Sequence, residues 1–386
     1  MDHNNTREHR SLHALDDNPK TKKPPLFFIF PKAYDLVMGL RGYLIKRTIN
    51  TIILILFVII INFIIFEVMP GLQGSLDTLV QNPKIPAADR QQFINEEEQR
   101  LGIICGVDPK TNNGIPCPVW TKFERYFVAM VTFNFGNSFQ TGNPVVQDMI
   151  GTGRLVNTLL LLGVSSVLAI VIGIFLGVLS AKKRGSIFDS AWVTTSLTTF
   201  SLPTFWMGLV LILIFAYWLG WFPASGVTPQ DWINPAKAPS SFLASIPTRL
   251  QYLFLPALTL TLFFYGGYLL LTRATMIEAL SEDYITTARA KGLPERTVLY
   301  KHALKNASLP LVTAAALQFG FLLSGAIITE TVFSWDGLGY WLFQAIGWKD
   351  GPVLQAMFFI IALCVIMANF ASDIIYGLLD PRIKYE

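Results

Sequence analysis

Six stretches of this chain are long, apolar and free of lysine and arginine: residues 49–68, 155–180, 190–219, 252–272, 310–332 and 353–379. About 20 mostly apolar residues cross the hydrocarbon core of a bilayer as a helix. In that medium every backbone N–H and C=O must find its partner within the segment. The expectation is therefore an all-α integral membrane protein with six transmembrane helices. Composition points the same way, because 15% of the 386 residues are charged against about a quarter in soluble domains. That is too little charge to cover a globular surface of this size. The 29 Phe and 9 Trp exclude disorder over most of the length, and a net charge of +4 is too small to imply a nucleic-acid partner.

Six spans put both termini on one side of the membrane. Basic residues accumulate on the cytoplasmic side, and with the N-terminus inside, 20 of the 30 Lys and Arg fall on inner segments and 10 on outer ones. Both termini are thus expected on the cytoplasmic side, as in a multi-pass membrane protein. Trp218, Trp221, Trp232, Trp335, Trp341 and Trp348 fall at or just beyond the outer ends of spans, where amphipathic rings prefer to lie. Glu330 and Asp373 sit near span ends and read as interfacial and solvated.

Residues 1–40 form a basic cytoplasmic tail, polar and disordered in its first 25 residues, with no apolar core and small-residue cleavage site of a cleaved signal. His3, His9 and His13 lack the recurring acidic or thiol partners of a metal site and read as solvated. The extracytoplasmic loop 69–154 is long enough to fold, with a polar helix expected near 87–101 and an amphipathic one over 120–131. Cys105 and Cys117 lie in it on the oxidising side, so a disulfide between them is possible, as a structural staple. A short aromatic helix is expected within 333–349, after a turn at Trp335-Asp336-Gly337.

The loop 273–309 is the one sizeable inner connection between spans. Met276, Leu280, Tyr284 and Ala288 recur every four residues and give one apolar helical face. Gly292 is placed to end that helix and Pro294 to begin the next, which continues with Val298, Leu299, His302 and Ala303. Two short amphipathic helices with a Gly-Leu-Pro bend follow, either as a plain connector or as a docking handle for another protein.

The residues of this loop are also distinctive as a string. Asp283-Tyr284, Ala288-Arg289-Ala290-Lys291-Gly292, His302-Ala303-Leu304-Lys305-Asn306 and Leu309-Pro310 resemble the EAA loop of binding-protein-dependent ABC-transporter permeases, in particular the dipeptide/oligopeptide (and nickel) importer subclass. Other pieces match that subclass in order. They are Met69-Pro70-Gly71, Asn134-Phe135-Gly136-Asn137-Ser138-Phe139 with Pro144-Val145, Ser201-Leu202-Pro203-Thr204-Phe205, and Gly220-Trp221-Phe222-Pro223 with Ser225-Gly226. Thr329-Glu330-Thr331-Val332-Phe333 and Leu379-Asp380-Pro381-Arg382 complete the set. Departures are Thr286-Thr287-Ala288 at the EAA tripeptide, Asp336 where the subclass has Pro, the N-terminal extension and the enlarged outer loop.

The resemblance covers residues 41–386 and implies a six-span permease domain of the type I ABC importer fold. It implies a second homologous permease subunit, two cytoplasmic ABC ATPase subunits, an extracytoplasmic substrate-binding protein and the lipid bilayer as partners. Cargo would be di- or oligopeptides, with oligosaccharides or nickel chelates as the alternative; a membrane scaffold or receptor docking a non-ATPase partner is a distant one. Asp283, Tyr284, Ala288, Arg289, Ala290, Lys291, Gly292, His302 and Asn306 would form the ATPase-coupling loop. Gly292 would serve there by close approach and a left-handed backbone. Ser201, Pro203 and Phe205 would lie on a translocation path or serve packing alone. The chain carries no G-x-x-x-x-G-K-[ST] phosphate loop, so no cofactor, metal or catalytic residue is expected in it. ATP and Mg would be used by the partner ATPases, and the chain itself would not be an enzyme.

Overall fold

A computed structural model describes residues 40–68, 92, 95, 99, 104–109, 114–234 and 236–379, with side chains described except at 40, 41, 67, 68, 242, 309, 316–326 and 375–379. The N-terminal tail with its three histidines, the Met69-Pro70-Gly71 motif, the helix expected near 87–101 apart from residues 92, 95 and 99, and the Asp380-Pro381-Arg382 terminus lie outside the described residues.

The first helix, α1 (Leu40–Phe63), ends in a widened π turn at Ile64–Val68. A two-stranded antiparallel hairpin follows, β1 (Ile104–Val107) and β2 (Gly114–Pro116), with Ile104 opposite Pro116 and Val107 opposite Gly114. Then come α2 (Val119–Val131), α3 (Val145–Gly151), α4 (Arg154–Lys182), α5 (Ile187–Ser201) and α6 (Thr204–Leu211), the last running into a π segment at Ile212–Trp218. Helix α7 (Phe242–Leu280) is the longest, at 39 residues. At 1.5 Å per residue it reaches about 58 Å, roughly twice the hydrocarbon thickness. It therefore overshoots the expected 252–272 span at both ends. After α8 (Asp283–Ala290), one turn at Glu295–Thr297 and a π segment at Val298–Ala303 feed α9 (Leu304–Val332) without a break. Pro310 lies inside that helix rather than opening it. α10 (Leu338–Trp348) and α11 (Gly351–Leu379) end the fold.

Among the described residues, four helices are long and apolar enough to cross a membrane, and α5 with α6–Ile212–Trp218 makes a fifth candidate bent by 106°. The bend has a local cause: Leu202 and Pro203 are both extended (ψ 136° and 135°), because a residue before proline is driven out of the helical region.

The centre of the bundle is the seam between α4 and α7. A Cβ placed on Gly173 would lie 2.4 Å from Tyr268 Cβ, and one on Gly177 2.5 Å from Thr272 Cβ. Close approach at small residues is how helices gain contact in lipid, where burial of apolar surface alone supplies little attraction between them. Gly266 of α7 does the same towards α5, with a built Cβ 2.8 Å from the Ser196 carbonyl oxygen. Tyr265-Gly266-Gly267-Tyr268 is thus a packing motif in which Gly266 makes the contact.

Two tryptophans expected at the interface are instead core. Trp335 and Trp341 are both nearly fully buried, whereas Trp218, Trp221 and Trp348 are exposed. Trp341 packs with α1, α2 and α11 residues such as Ile59, Met130 and Val353, and Trp335 with Leu161 and Leu255. Their position at chain ends of spans was visible in the sequence; the folding of α10 back over α4 was not.

The seam yields a test. Gly173→Leu should cost about 1–3 kcal/mol by overpacking, while Gly163→Ala on the same helix, where a Cβ meets nothing within 4 Å, should be neutral or stabilising by up to about 1 kcal/mol. Thermal unfolding of the two variants in detergent separates them, and equal losses would remove the seam from this role.

Candidate functional site

One end of the bundle carries the 281–308 region. Helix α7 stops at Leu280, where Ser281 caps it by donating its hydroxyl to the Glu278 carbonyl at 2.7 Å. Glu282 is extended, and α8 restarts at Asp283. This break resets the helical register, which corrects the four-residue repeat read from the sequence. Met276 belongs to α7, and the residues of α8 that face inward are Ile285 and Ala288, while Tyr284 is exposed. Ile285 and Ala288 sit in one cluster with Val178 and Ala181 of α4, Met276 and Ala279 of α7, and Val298, Leu299 and Ala303 beyond the bend. The short helix thus rests on the ends of both seam helices.

The bend is a double-bonded helix stop. Gly292 takes φ +74°, its N–H donates to the Arg289 carbonyl at 2.9 Å and the Leu293 N–H donates to that of Ala288 at 3.4 Å. These are the paired C-terminal bonds of a Schellman motif, which favours glycine at its left-handed position. Pro294 then starts the next turn, with Val298 N–H donating to its carbonyl at 3.1 Å. Across the angle, Arg289 donates to both Glu295 carboxylate oxygens at 2.9 and 3.3 Å. The guanidinium hydrogen bonds and, less strongly, its charge hold the Glu295 carboxyl below its ordinary range, against a smaller opposing effect of burial. Both side chains are near half exposed, so the pair clips the bend without adding much stability.

The sequence-derived residues divide cleanly here. Asp283, Tyr284, Arg289, Ala290, Lys291, Gly292 and Asn306 are exposed on the crown, His302 is half-buried and Ala288 is buried beneath. A Cβ on Gly292 would meet nothing within 4 Å, so within this chain its requirement is conformational and involves no close approach. Leu293, Tyr300 and Glu295, which the sequence reading did not single out, share the exposed surface. An exposed Leu293 three residues past a helix end could have been noticed, since no amphipathic pattern claims it.

At the opposite end lies a second polar cluster. Glu330, expected to be solvated, has no exposed surface. It accepts hydrogen bonds from the Thr158 hydroxyl at 2.7 Å and the Tyr340 N–H at 3.0 Å, and the same Thr158 oxygen accepts from the Leu338 N–H at 2.8 Å. A carboxylate facing the first amides of α10 uses the donors that a helix N-terminus leaves unpaired. Asp336 accepts from Arg154 Nε at 2.9 Å, and that guanidinium lies over the Trp341 ring at 4.6 Å. The residue that departs from the subclass pattern is thus engaged. Asp373 is paired with Arg47 of α1.

Cys105 and Cys117 are joined in a disulfide that staples the hairpin, and Arg125 of α2 donates to the Cys117 sulfur at 3.9 Å. Ser201 and Phe205 flank the α5–α6 break and are exposed, as is Pro203; the Ser201 hydroxyl donates to the Leu197 carbonyl at 2.7 Å.

Residues 169–385 match the family described as binding-protein-dependent transport system inner membrane component. The chain belongs to this family. It is 37% identical over 346 residues to the oligopeptide transport system permease protein AppB of Bacillus subtilis, covering 90% of this chain and 100% of that protein. It is 38% identical over 284 residues to the di/tripeptide transport system permease protein DppB of Pseudomonas aeruginosa, covering 71% and 83%. To the glutathione transport system permease protein GsiC of Salmonella paratyphi A it is 32% identical over 346 residues, covering 89% and 99%. The family match starts at Ala169 and so spans the lower half of the α4–α7 seam, the α5–α6 break and the whole 281–308 region.

The bend sets a measurable expectation. Gly292→Ala should cost about 1–2 kcal/mol for a Cβ in left-handed backbone, and Gly292→Asn less, because asparagine tolerates that region. Thermal unfolding of the purified chain reads both; equal costs for Ala and Asn would mean that backbone conformation is not what glycine supplies.

Proposed function

We propose that this chain is the transmembrane permease subunit of an ATP-driven ABC importer that moves di- and oligopeptides across the cytoplasmic membrane. Family membership supports the machine, and the names of relatives aligned over nearly the whole chain support the cargo. The observation that carries the coupling is the geometry of residues 281–308. A polar, exposed crown stands on an apolar base welded to the ends of α4 and α7, so a force applied to α8 is delivered to the bundle.

In this reading the permease domain is 41–386 with six spans, α9 being the fifth, and the tail 1–40 and the 273–309 loop are cytoplasmic. The loop 69–154 is extracytoplasmic, and the disulfide supports that side, since such bonds persist in oxidising compartments. The chain binds no ATP; two ATPase subunits with their ATP and Mg engage Asp283, Tyr284, Arg289, Ala290, Lys291, Gly292, Asn306 and the neighbouring Leu293 and Tyr300. His302 contributes from the flank, and Ala288 acts as the anchor beneath. A second permease completes the pore, and an extracytoplasmic binding protein delivers peptide to it. ATP-driven closure of the ATPases pushes α8, and the spans exchange between two states whose balance both ATP and loaded binding protein bias. Ser201, Pro203 and Phe205, at the break in the third span, border the path.

Proteoliposomes holding the complex, with binding protein and labelled di- to penta-alanine, should accumulate peptide only with internal ATP. Accumulation driven by a proton gradient in its absence would overturn the assignment. Gly292→Trp should leave the ATPases active and lower peptide moved per ATP by about fivefold or more; unimpaired transport would dismiss the coupling role. For orientation, Asp231→Cys in a Cys364→Ser background should react with an impermeant maleimide in intact cells, and Thr286→Cys only after permeabilisation. The reverse pattern would invert the topology.

A further inference from the structure

The base of α5 is fastened to α7 by an ion pair that the coupling geometry above does not use. Arg273 donates from Nε to Asp189 Oδ1 at 2.6 Å and from Nη2 to Oδ2 at 2.8 Å, a bidentate fork. The Asp189 side chain is only 4% exposed. The same carboxylate accepts from the Gly185 N–H at 3.0 Å, and the Asp189 N–H donates to the Ser186 hydroxyl that caps α5 at 3.2 Å. One aspartate therefore holds the α4–α5 turn, the first turn of α5 and the flank of α7 together.

A second attachment lies above it. Gly266 of α7 abuts Ser196 of α5. On each helix the two attachment points are seven residues apart, about two turns, so the antiparallel helices are pinned in one register at two heights. The lower pin sits seven residues before the end of α7, where α8 begins after the Ser281-Glu282 break. At its far end α5 terminates at the Leu202-Pro203 break, where the span bends.

A buried ion pair is weak evidence for stability, since desolvation offsets most of the attraction. What a guanidinium–carboxylate fork supplies and an apolar contact does not is a fixed relative orientation. Between two helices that must move as one lever, that is the property required. We infer that Asp189 and Arg273 are positioning residues that make α5, and through it the broken segment at Leu202-Pro203, follow the movement of the coupling loop. The inference rests on the transport reading above. It adds a transmission element within this chain, between the ATPase-facing crown and the bend in the third span.

The test uses the full complex in proteoliposomes, with binding protein and labelled di- to penta-alanine, and reads peptide moved per ATP hydrolysed. Asp189→Asn and Arg273→Gln should assemble with the ATPases and hydrolyse ATP, with that ratio lowered about fivefold or more. Arg273→Lys, which keeps charge but loses the fork, should fall between them and the wild type, and Asp189→Arg with Arg273→Asp should restore part of the ratio. A purely structural role predicts instead that hydrolysis and transport decline together with the amount of complex, leaving the ratio intact, and that result overturns the inference. If the single variants fail to assemble, Asp189→Leu with Arg273→Met leaves no unpaired buried charge, and a wild-type ratio in that variant also overturns it. A wild-type complex that moves no peptide with ATP is a separate outcome, removing the transport reading and with it this inference.

Discussion

The contact on which the rest of this bundle depends is the close approach of α4 and α7 at Gly173 and Gly177. In a bilayer the lipid tails are as apolar as the side chains, so two helices gain by touching only if their surfaces fit closely. Two glycines four residues apart let the α7 backbone at Tyr265 and Leu269 come within reach of α4. Everything of functional interest is then referred to this seam. Helix α5 is pinned to α7 by Ser196–Gly266 and Asp189–Arg273, and α8 rests across the ends of both seam helices through Ile285 and Ala288.

The other end of the seam meets a different requirement, the disposal of polar groups. Glu330, Thr158 and the opening amides of α10 satisfy one another. Asp350 plays a comparable part nearby, accepting from the Ser138 hydroxyl at 2.6 Å and the Gln140 N–H at 3.2 Å. Buried carboxylates at such sites are tolerated because each is supplied with donors. They also join segments far apart in sequence, 138 to 350 and 158 to 330, so the segment after α2 is tied to the α10–α11 junction and α4 to the end of α9. Gly337 and Gly339 are required there by space, since a Cβ on either would fall within 3.0 Å of the Glu330 carboxylate.

The 281–308 region joins local and tertiary information in an instructive way. Its Gly-Leu-Pro bend was legible, because a left-handed C-terminal glycine followed by a proline is a local signal with a local cause. The inward face was misjudged over the first helix. A four-residue repeat from Met276 to Ala288 assumes one unbroken helix, whereas the chain leaves the helical region at Glu282 and resumes with a new phase. Ile285 replaces Tyr284 in the interior, and Tyr284 joins the exposed crown. Trp335, Trp341 and Glu330 were misplaced for a related reason: composition locates a residue along the membrane normal but does not say whether another helix covers it.

The apolar helices, the proline break between α5 and α6, the glycine-ended bend after α8 and the family to which the chain belongs are all written in the sequence alone. These follow from hydropathy, backbone stereochemistry and strings of residues, all of which act within a few turns. Packing between distant helices is what buries Glu330, turns Ala288 inward and Tyr284 outward, sets Gly266 rather than Gly267 at the contact, and brings Asp189 to Arg273. Each of those depends on which faces of two distant helices meet. That choice is set by shape and by the pairing of polar groups across a seam, and no window of sequence contains both sides of it.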